Sequence, residues 1–344
     1  MARIALDAMG GDFAPRATIA GALQALDELP GHRVQLVGQT PIIEKTLAEL
    51  TSGELARCAH VRDRIDIVEA PDNIGMAERP TAALRKKPDN PMAVGLRLQV
   101  EGQSDGFVSA GNTGAQMAVS AVLLGLHAGL KRPPVATVLP TSREPIVFLD
   151  SGANVDCSAA ELLQFAWLGT LYAECVLERK DPVVGLLSIG EEDSKGNAVS
   201  KEAYTLFRAA GFNFQGNIEG RDLPPGASDR GPLDVYVCDG FTGNIVLKFY
   251  EGVIPMILEI LQRDPDLDMS RVRTGLGALD SSVYGGAPLL GVRGVSMICH
   301  GNSTPRAIKN AVAAAVRAVE TRMNSRIAEK FTEAEKIAMT RAAS

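Results

Sequence analysis

What the sequence lacks narrows its chemistry first. Its five cysteines (Cys58, Cys157, Cys175, Cys238 and Cys299) are an odd number with no C-x-x-C pair. A disulfide framework and a thiol zinc site are therefore not expected, and a reducing cytosol fits best. The four histidines (His32, His60, His127 and His300) have no metal-ligand spacing, so no metal is expected. No G-x-S-x-G elbow is present, which argues against a serine hydrolase. No apolar run approaches the roughly 20 residues of a spanning helix. The start, M-A-R-I-A-L-D, runs straight into a strand, so no signal peptide is expected. A net charge of −6 offers no global positive field, so no nucleic-acid partner is expected, although a local basic patch remains open.

What is present is an ordinary globular composition. The 344 residues are 46% hydrophobic, long enough for one large α/β domain or two smaller ones. Short apolar runs alternate with helical patterns: Ile4 to Leu6, Val34 to Val37, Ile65 to Val68, Phe107 to Val108, Ile146 to Leu149, Val183 to Leu187, Leu233 to Val237 and Ser296 to Cys299. Pro15, Pro41 and Pro305 open helices, and Ser158 with Glu161 is spaced as a capping box. Such alternation predicts a doubly wound, mostly parallel sheet flanked by helices in three layers. At least five of the strands end in glycine plus Asp, Asn or Ser. Ligands of open α/β sheets sit outside these carboxyl ends. Turn geometry alone favours Gly and Asp, which accounts for one or two such turns but poorly for their repetition.

The most informative turn is S-A-G-N-T-G at 109–114, between a strand and the helix former A-Q-M-A-V-S-A-V-L-L-G-L. Gly111 and Gly114 permit a tight turn and close approach, and Asn112 or Thr113 would cap the helix. A free helix N-terminus prefers an anion, usually phosphate. The turn lacks a P-loop lysine and is not G-x-G-x-x-G, so a tight turn without a ligand is the competing reading.

Other candidates carry less specific signals. Lys195 lies in a glycine-containing turn after Glu191, Glu192 and Asp193, where a lysine either solvates or faces an anion. Lys248 lies one helical turn beyond Asn244, so both can face the start of that helix. Arg79, Arg85, Lys86 and Lys87 form either a solvated face or a docking patch for an acidic partner. Cys157 and Cys238 sit near strand ends, but small buried cysteines are commoner than nucleophiles. The segment 245–261 is more apolar than a surface helix requires and contains Pro255. With the polar link 263–268 and a second helix it predicts a projecting helical hairpin over 245–285, able to cover a second copy, an acyl chain or a membrane surface.

Nine motifs in order carry a resemblance to a known family. They are D-A-M-G-G-D (7–12), I-G-M-A-E-R-P (74–80), V-S-A-G-N-T-G-A (108–115), L-D-S-G-A-N-V-D-C (149–157), S-I-G-E-E with K-G-N (188–197), N-I-E-G-R-D (217–222), D-G-F-T-G-N (239–244), Y-G-G-A-P-L-L-G (284–291) and H-G-N-S (300–303). From Ile4 to about Arg317 the chain resembles the bacterial phosphate acyltransferases of phospholipid synthesis. The stretch 88–91 departs from the family's serine-rich pattern, which puts ligand roles there in doubt. The resemblance implies one α/β domain over 1–344, related to the phosphotransacetylases and the decarboxylating dehydrogenases. It implies transfer of a fatty acyl group from acyl carrier protein to inorganic phosphate, with no cofactor. It also implies a homodimer in the cytoplasm, with peripheral contact to the inner face of the membrane assigned to the 245–285 hairpin.

A thioester has a good leaving group and phosphate is already anionic, so orientation and an oxyanion cradle suffice. Phosphate is expected at Ser109, Gly111, Asn112, Thr113 and Gly114. Lys195 and Asn244 are expected to stabilise charge, with His300 exchanging a proton. Asp7, Gly10, Gly11, Asp239 and Lys248 would line the site, and Arg79, Arg85, Lys86 and Lys87 would dock the carrier. The alternatives are a phosphotransacetylase-like enzyme using acyl-coenzyme A, or a non-catalytic anion-binding partner protein.

Overall fold

The computed structural model describes residues 1–76, 78, 85–264, 267–276 and 281–342. In chain order the strands and α-helices are β1 (Arg3–Asp7), α1 (Arg16–Glu28), β2 (Arg33–Gly38), α2 (Thr40–Ser52), β3 (Ile65–Glu69), α3 (Pro91–Val100), β4 (Gly106–Ser109), α4 (Thr113–Leu123), β5 (Thr137–Leu139), β6 (Ile146–Leu149) and α5 (Ala159–Val176). They continue with β7 (Val184–Leu187), α6 (Ala198–Ala209), β8 (Phe214–Ile218), β9 (Ala227–Ser228), β10 (Gly231–Pro232), β11 (Val235–Val237), α7 (Gly240–Leu261), α8 (Met269–Leu276), β12 (Ala287–Pro288), β13 (Ser296–Ile298), α9 (Pro305–Glu320) and α10 (Met323–Ala342). The chain divides into two compact units, Met1–Gly129 with Ser282–Ser344, and Leu130–Ser281.

The first unit holds a six-stranded sheet in the order β12-β13-β4-β1-β2-β3, parallel except for β12. Ile4, Leu6, Val34, Leu36, Phe107 and Val108 are fully buried, as strands covered on both faces by helices must be. α9 buries Ala307, Ile308, Ala311, Val312, Ala315 and Val316, one face at helical spacing. Its crossing with α1 is close because Gly21 has no side chain: a Cβ there would lie 2.6 Å from Cβ of Ile308.

The second unit holds a five-stranded sheet, β5-β6-β11-β7-β8, parallel except for β5, and a small β9–β10 ribbon. α5 begins with the expected capping box: Ser158 Oγ accepts from the Glu161 N–H, and the Glu161 carboxylate accepts from the Ser158 N–H. Phe207, Phe212 and Phe214 pack edge-to-face where α6 meets β8, and Trp167 of α5 joins through Phe212.

The mostly parallel α/β architecture stands, but its strands fall into two sheets rather than one. β5 and β8 were not anticipated. β5 is three residues long. β8 reads F-Q-G-N-I, where Gly216 (φ +108°) and Asn217 dilute the apolar run. The predicted hairpin is only partly described. α7 and α8 occupy its legs, residues 265–266 and 277–280 lie outside the described residues, and α7 already begins at Gly240. Leu247 and Tyr250 seat α7 on the core of the second unit, and the Tyr250 hydroxyl donates to the Pro140 carbonyl. Ile245, Phe249, Met256 and Ile260 leave an exposed apolar stripe along α7. Among the described residues no helix is long and apolar enough to cross a membrane.

Candidate functional site

Each unit gathers its polar residues at the carboxyl ends of its strands. In the first unit, adjacent strands β1, β4 and β13 deliver the turns 7–12, 109–114 and 300–304. Asp7 is almost fully buried and organises this edge. Its carboxylate accepts from the Met9 N–H at 3.0 Å and from Ser109 Oγ at 2.7 Å. Burial raises its pKa, while the hydrogen bonds from Ser109, Met9 and Gly10 oppose the rise. Gly10 is required by crowding: a Cβ there would lie 2.5 Å from Asp7 Oδ2 and 2.7 Å from the Gly111 nitrogen. Past Gly11, the Asp12 N–H donates to the Gly301 carbonyl at 2.7 Å, which ties the first turn to the third. His300 is exposed at the head of that third turn.

The 109–114 turn is internally satisfied to an unusual degree. Ser109 Oγ accepts from the Gly111 N–H at 3.0 Å. Asn112 is the cap, its Oδ1 accepting from the Ala115 N–H at 2.9 Å. Its Nδ2 donates to the carbonyls of Met76 and Glu78, at 2.9 and 3.0 Å. The Asn112 amide thus clasps the segment around Met76 to the turn and has no hydrogen left for a ligand. Thr113 and Gly114 are exposed, and their first-turn N–H groups point out of the helix. These backbone donors are what the turn offers an anion.

The basic patch is less uniform than its sequence. Lys87 Nζ donates to Glu78 Oε1 at 2.5 Å and to the Asn73 carbonyl, so its charge is spent inside the segment. That bond lowers the Glu78 pKa. Arg85 and Lys86 are exposed. Arg79 lies outside the described residues.

In the second unit the organiser is Asp150, at the end of β6. It accepts from the N–H groups of Val135, Gly152, Ala153 and Asn154 and from Asn154 Nδ2. Burial raises its pKa against these bonds. The turn after β11 closes on this loop. The Gly240 N–H donates to the Asn154 carbonyl at 2.8 Å, and a Cβ on Gly243 would lie 1.8 Å from the Asp150 carbonyl oxygen. Asp239 caps α7, accepting from the Thr242 N–H at 2.8 Å and Thr242 Oγ1 at 2.9 Å. Asn244 is exposed with its amide over Gly152. Lys248 is paired with Glu251 at 2.8 Å. Lys195 is exposed, and among the described residues its ammonium has neither an ion-pair nor a hydrogen-bond partner.

Around these turns lies a cavity of about 710 Å³. The N-termini of α5, α6 and α7 converge on it through Cys157, Asn197 and Asp239. Its walls include Val155, Leu162, Leu186, Leu187, Ile189, Val199 and Phe241, none of them singled out by the sequence reading. A signal was present: Val155, Ile189 and Phe241 are each a lone large apolar residue in a small polar turn. The environment of the wall thiols disfavours the thiolate form that a nucleophile needs. Burial raises the Cys157 pKa to about 12 and lifts that of Cys238 well above its usual value.

Solved structures that share this fold include two phosphotransacetylases. A phosphotransacetylase from Streptococcus pyogenes matches 92% of this chain and 94% of its own, with TM-score 0.64 and 16% identity. The EutD phosphotransacetylase from Staphylococcus aureus matches 93% and 94%, with TM-score 0.60 and 16% identity. At such identity they define the architecture, a phosphotransacetylase-like α/β fold. Sequence defines the family. The model described as fatty acid synthesis protein matches residues 2–326. A phosphate acyltransferase from Desulforamulus reducens is 46% identical over 329 residues, covering 93% of this chain and 94% of the relative. Another from Heliobacterium modesticaldum is 45% identical over 340 residues, covering 95% and 97%. The chain belongs to this fatty acid synthesis protein family, the phosphate acyltransferases.

Proposed function

We propose that the chain transfers a fatty acyl group from acyl carrier protein to inorganic phosphate, giving acyl phosphate for phospholipid synthesis. Bound phosphate attacks the thioester carbonyl carbon, a tetrahedral oxyanion forms, and the carrier thiolate leaves. In the first unit, the backbone N–H groups of the 109–114 turn bind phosphate, on the platform made by Asp7, Gly10, Gly11, Ser109 and Asn112, with His300 as the proton-exchanging group. Lys195 and Asn244 stabilise negative charge. The observation that carries this reading is the Lys195 ammonium, exposed and without a partner among the described residues, adjacent in the chain to Gly196 and Asn197 of the cavity wall. A donor positioned at developing charge is worth about 10²–10³ in rate once bound substrate excludes water from the site. Lys195→Ala is therefore expected to lower acyl phosphate formation by about 100-fold with an unchanged thermal transition. Wild-type turnover in that variant would remove Lys195 from the mechanism.

The rest of the proposal concerns partners. Residues 1–344 act as one functional domain. Arg85 and Lys86 dock the acidic carrier, with Arg79 from the same segment. The chain works as a homodimer, for which sedimentation at twice the chain mass is expected. The segment 245–285 touches the membrane surface, so Ile257→Asp is expected to weaken flotation with anionic liposomes; unchanged flotation would count against it.

A further inference from the structure

We propose that the strand-end cavity of the second unit is the subsite for the long aliphatic chain of the acyl donor, with Leu162 and Leu186 forming its inner wall. The inference rests on the acyl-transfer reading above and names where its apolar substrate lies. The observations are independent of that reading. Val155, Ile189 and Phe241 are large, apolar and 58%, 83% and 59% exposed, and all three line this one cavity. Val155 and Ile189 come from two strand-end turns and Phe241 from the first turn of α7, so three separate segments bring apolar side chains to the cavity. Leu162 and Leu186 are 4% and 1% exposed, so the wall passes from an exposed apolar rim to a buried apolar interior. A cavity of about 710 Å³ falls in the range of ligand pockets, about 300–1,000 Å³.

The polar groups at the wall select the kind of occupant. Asp239 spends both carboxylate oxygens on Thr242, and burial raises the pKa of the Cys157 and Cys238 thiols, which favours their neutral form. The described lining residues include no lysine or arginine, and the other acid, Asp156, is exposed at the rim, so the inner wall of Leu162 and Leu186 suits a neutral, apolar chain. Ser188 supplies the exception. Its Oγ is buried without a hydrogen-bond partner, and a Cβ on Gly196 would lie 2.9 Å from it. A buried hydroxyl needs a partner. A ligand with a carbonyl oxygen at the head of an apolar chain gives Ser188 an acceptor and the wall its contacts.

The test compares short-chain and long-chain acyl carrier substrates, and in parallel the binding of a fluorescent long-chain fatty acid. Ile189→Asp and Phe241→Asp alter exposed positions and are expected to fold. Each should raise the KM for the long-chain donor about tenfold or more, the scale of one lost apolar contact. The KM for phosphate and for the short-chain donor should not move, and fatty acid binding should weaken in step. Leu162→Phe should shift preference toward shorter chains. Unchanged chain-length preference and fatty acid binding in the rim variants, with acyl transfer intact, would overturn the subsite and leave the reaction standing. Fatty acid binding that depends on Ile189, in a protein that transfers no acyl group, would support the subsite and overturn the reaction. Equal losses with short and long donors would also overturn it, since a chain subsite must discriminate by length.

Discussion

The turns after β4 and after β11 share a local grammar and differ in what surrounds them. Both run from a buried strand into a helix capped by an Asn or Asp side chain with a glycine next to the cap: Gly111 before Asn112 in one, Gly240 after Asp239 in the other. Around the first, side-chain polarity is consumed internally by the Asp7–Ser109 pair and the Asn112 clasp, which leaves outward backbone N–H groups. Around the second, the backbone is pressed against the Asp150 loop and the side chains open onto an apolar cavity. A strand–turn–helix corner is therefore a neutral scaffold. Its neighbours decide whether it presents donors to an anion or a wall to a hydrocarbon.

Glycine substitutions should separate the two turns most sharply. Gly243→Ala drives a Cβ to within 1.8 Å of a backbone oxygen that cannot swing away, and should cost about 3 kcal/mol or more. Gly111→Ala meets the Met92 methyl at 2.4 Å, the end of a flexible side chain, and should cost about 1 kcal/mol. Chemical denaturation of the two variants measures the difference, and equal costs would erase the distinction.

The buried acids sharpen the comparison through pH. Asp7 has its folded-state pKa raised by burial, so the folded protein binds more protons than the unfolded chain above about pH 3.9. Its contribution is full below that pH and is lost as pH rises through the folded value. Asp7→Asn should flatten that part of the stability profile and leave the part due to Asp150, which is shifted the same way. A profile unchanged by the substitution would mean that Asp7 does not titrate there. The smallest effect belongs to the surface. The pair Arg85→Glu and Lys86→Glu should raise the carrier-substrate KM several-fold, roughly the worth of two rim charges, without changing the phosphate KM. Equal changes in both would argue against docking.

Much of this was legible in the sequence. The alternation of strands and helices, the Ser158–Glu161 box and the turns at strand ends follow from local periodicity and capping chemistry, which short windows contain. The division into two sheets is not local, because parallel pairing joins segments such as β4 and β13 that lie far apart in the chain. The cavity was hidden for the same reason, its wall combining residues from 155–162, 186–200 and 238–242. Asn112 shows the limit most clearly. Its cap follows from spacing, but its clasp on Met76 and Glu78 depends on a segment more than thirty residues away.

The central claim is acyl transfer to phosphate, and one assay tests it directly. Long-chain acyl carrier protein is mixed with the protein, with and without inorganic phosphate. Free carrier thiol is counted and acyl phosphate is trapped as hydroxamate. The account predicts thiol release that requires phosphate and matches the hydroxamate formed. Thiol release without phosphate would contradict it by pointing to hydrolysis, and turnover only with acyl-coenzyme A would contradict the choice of donor.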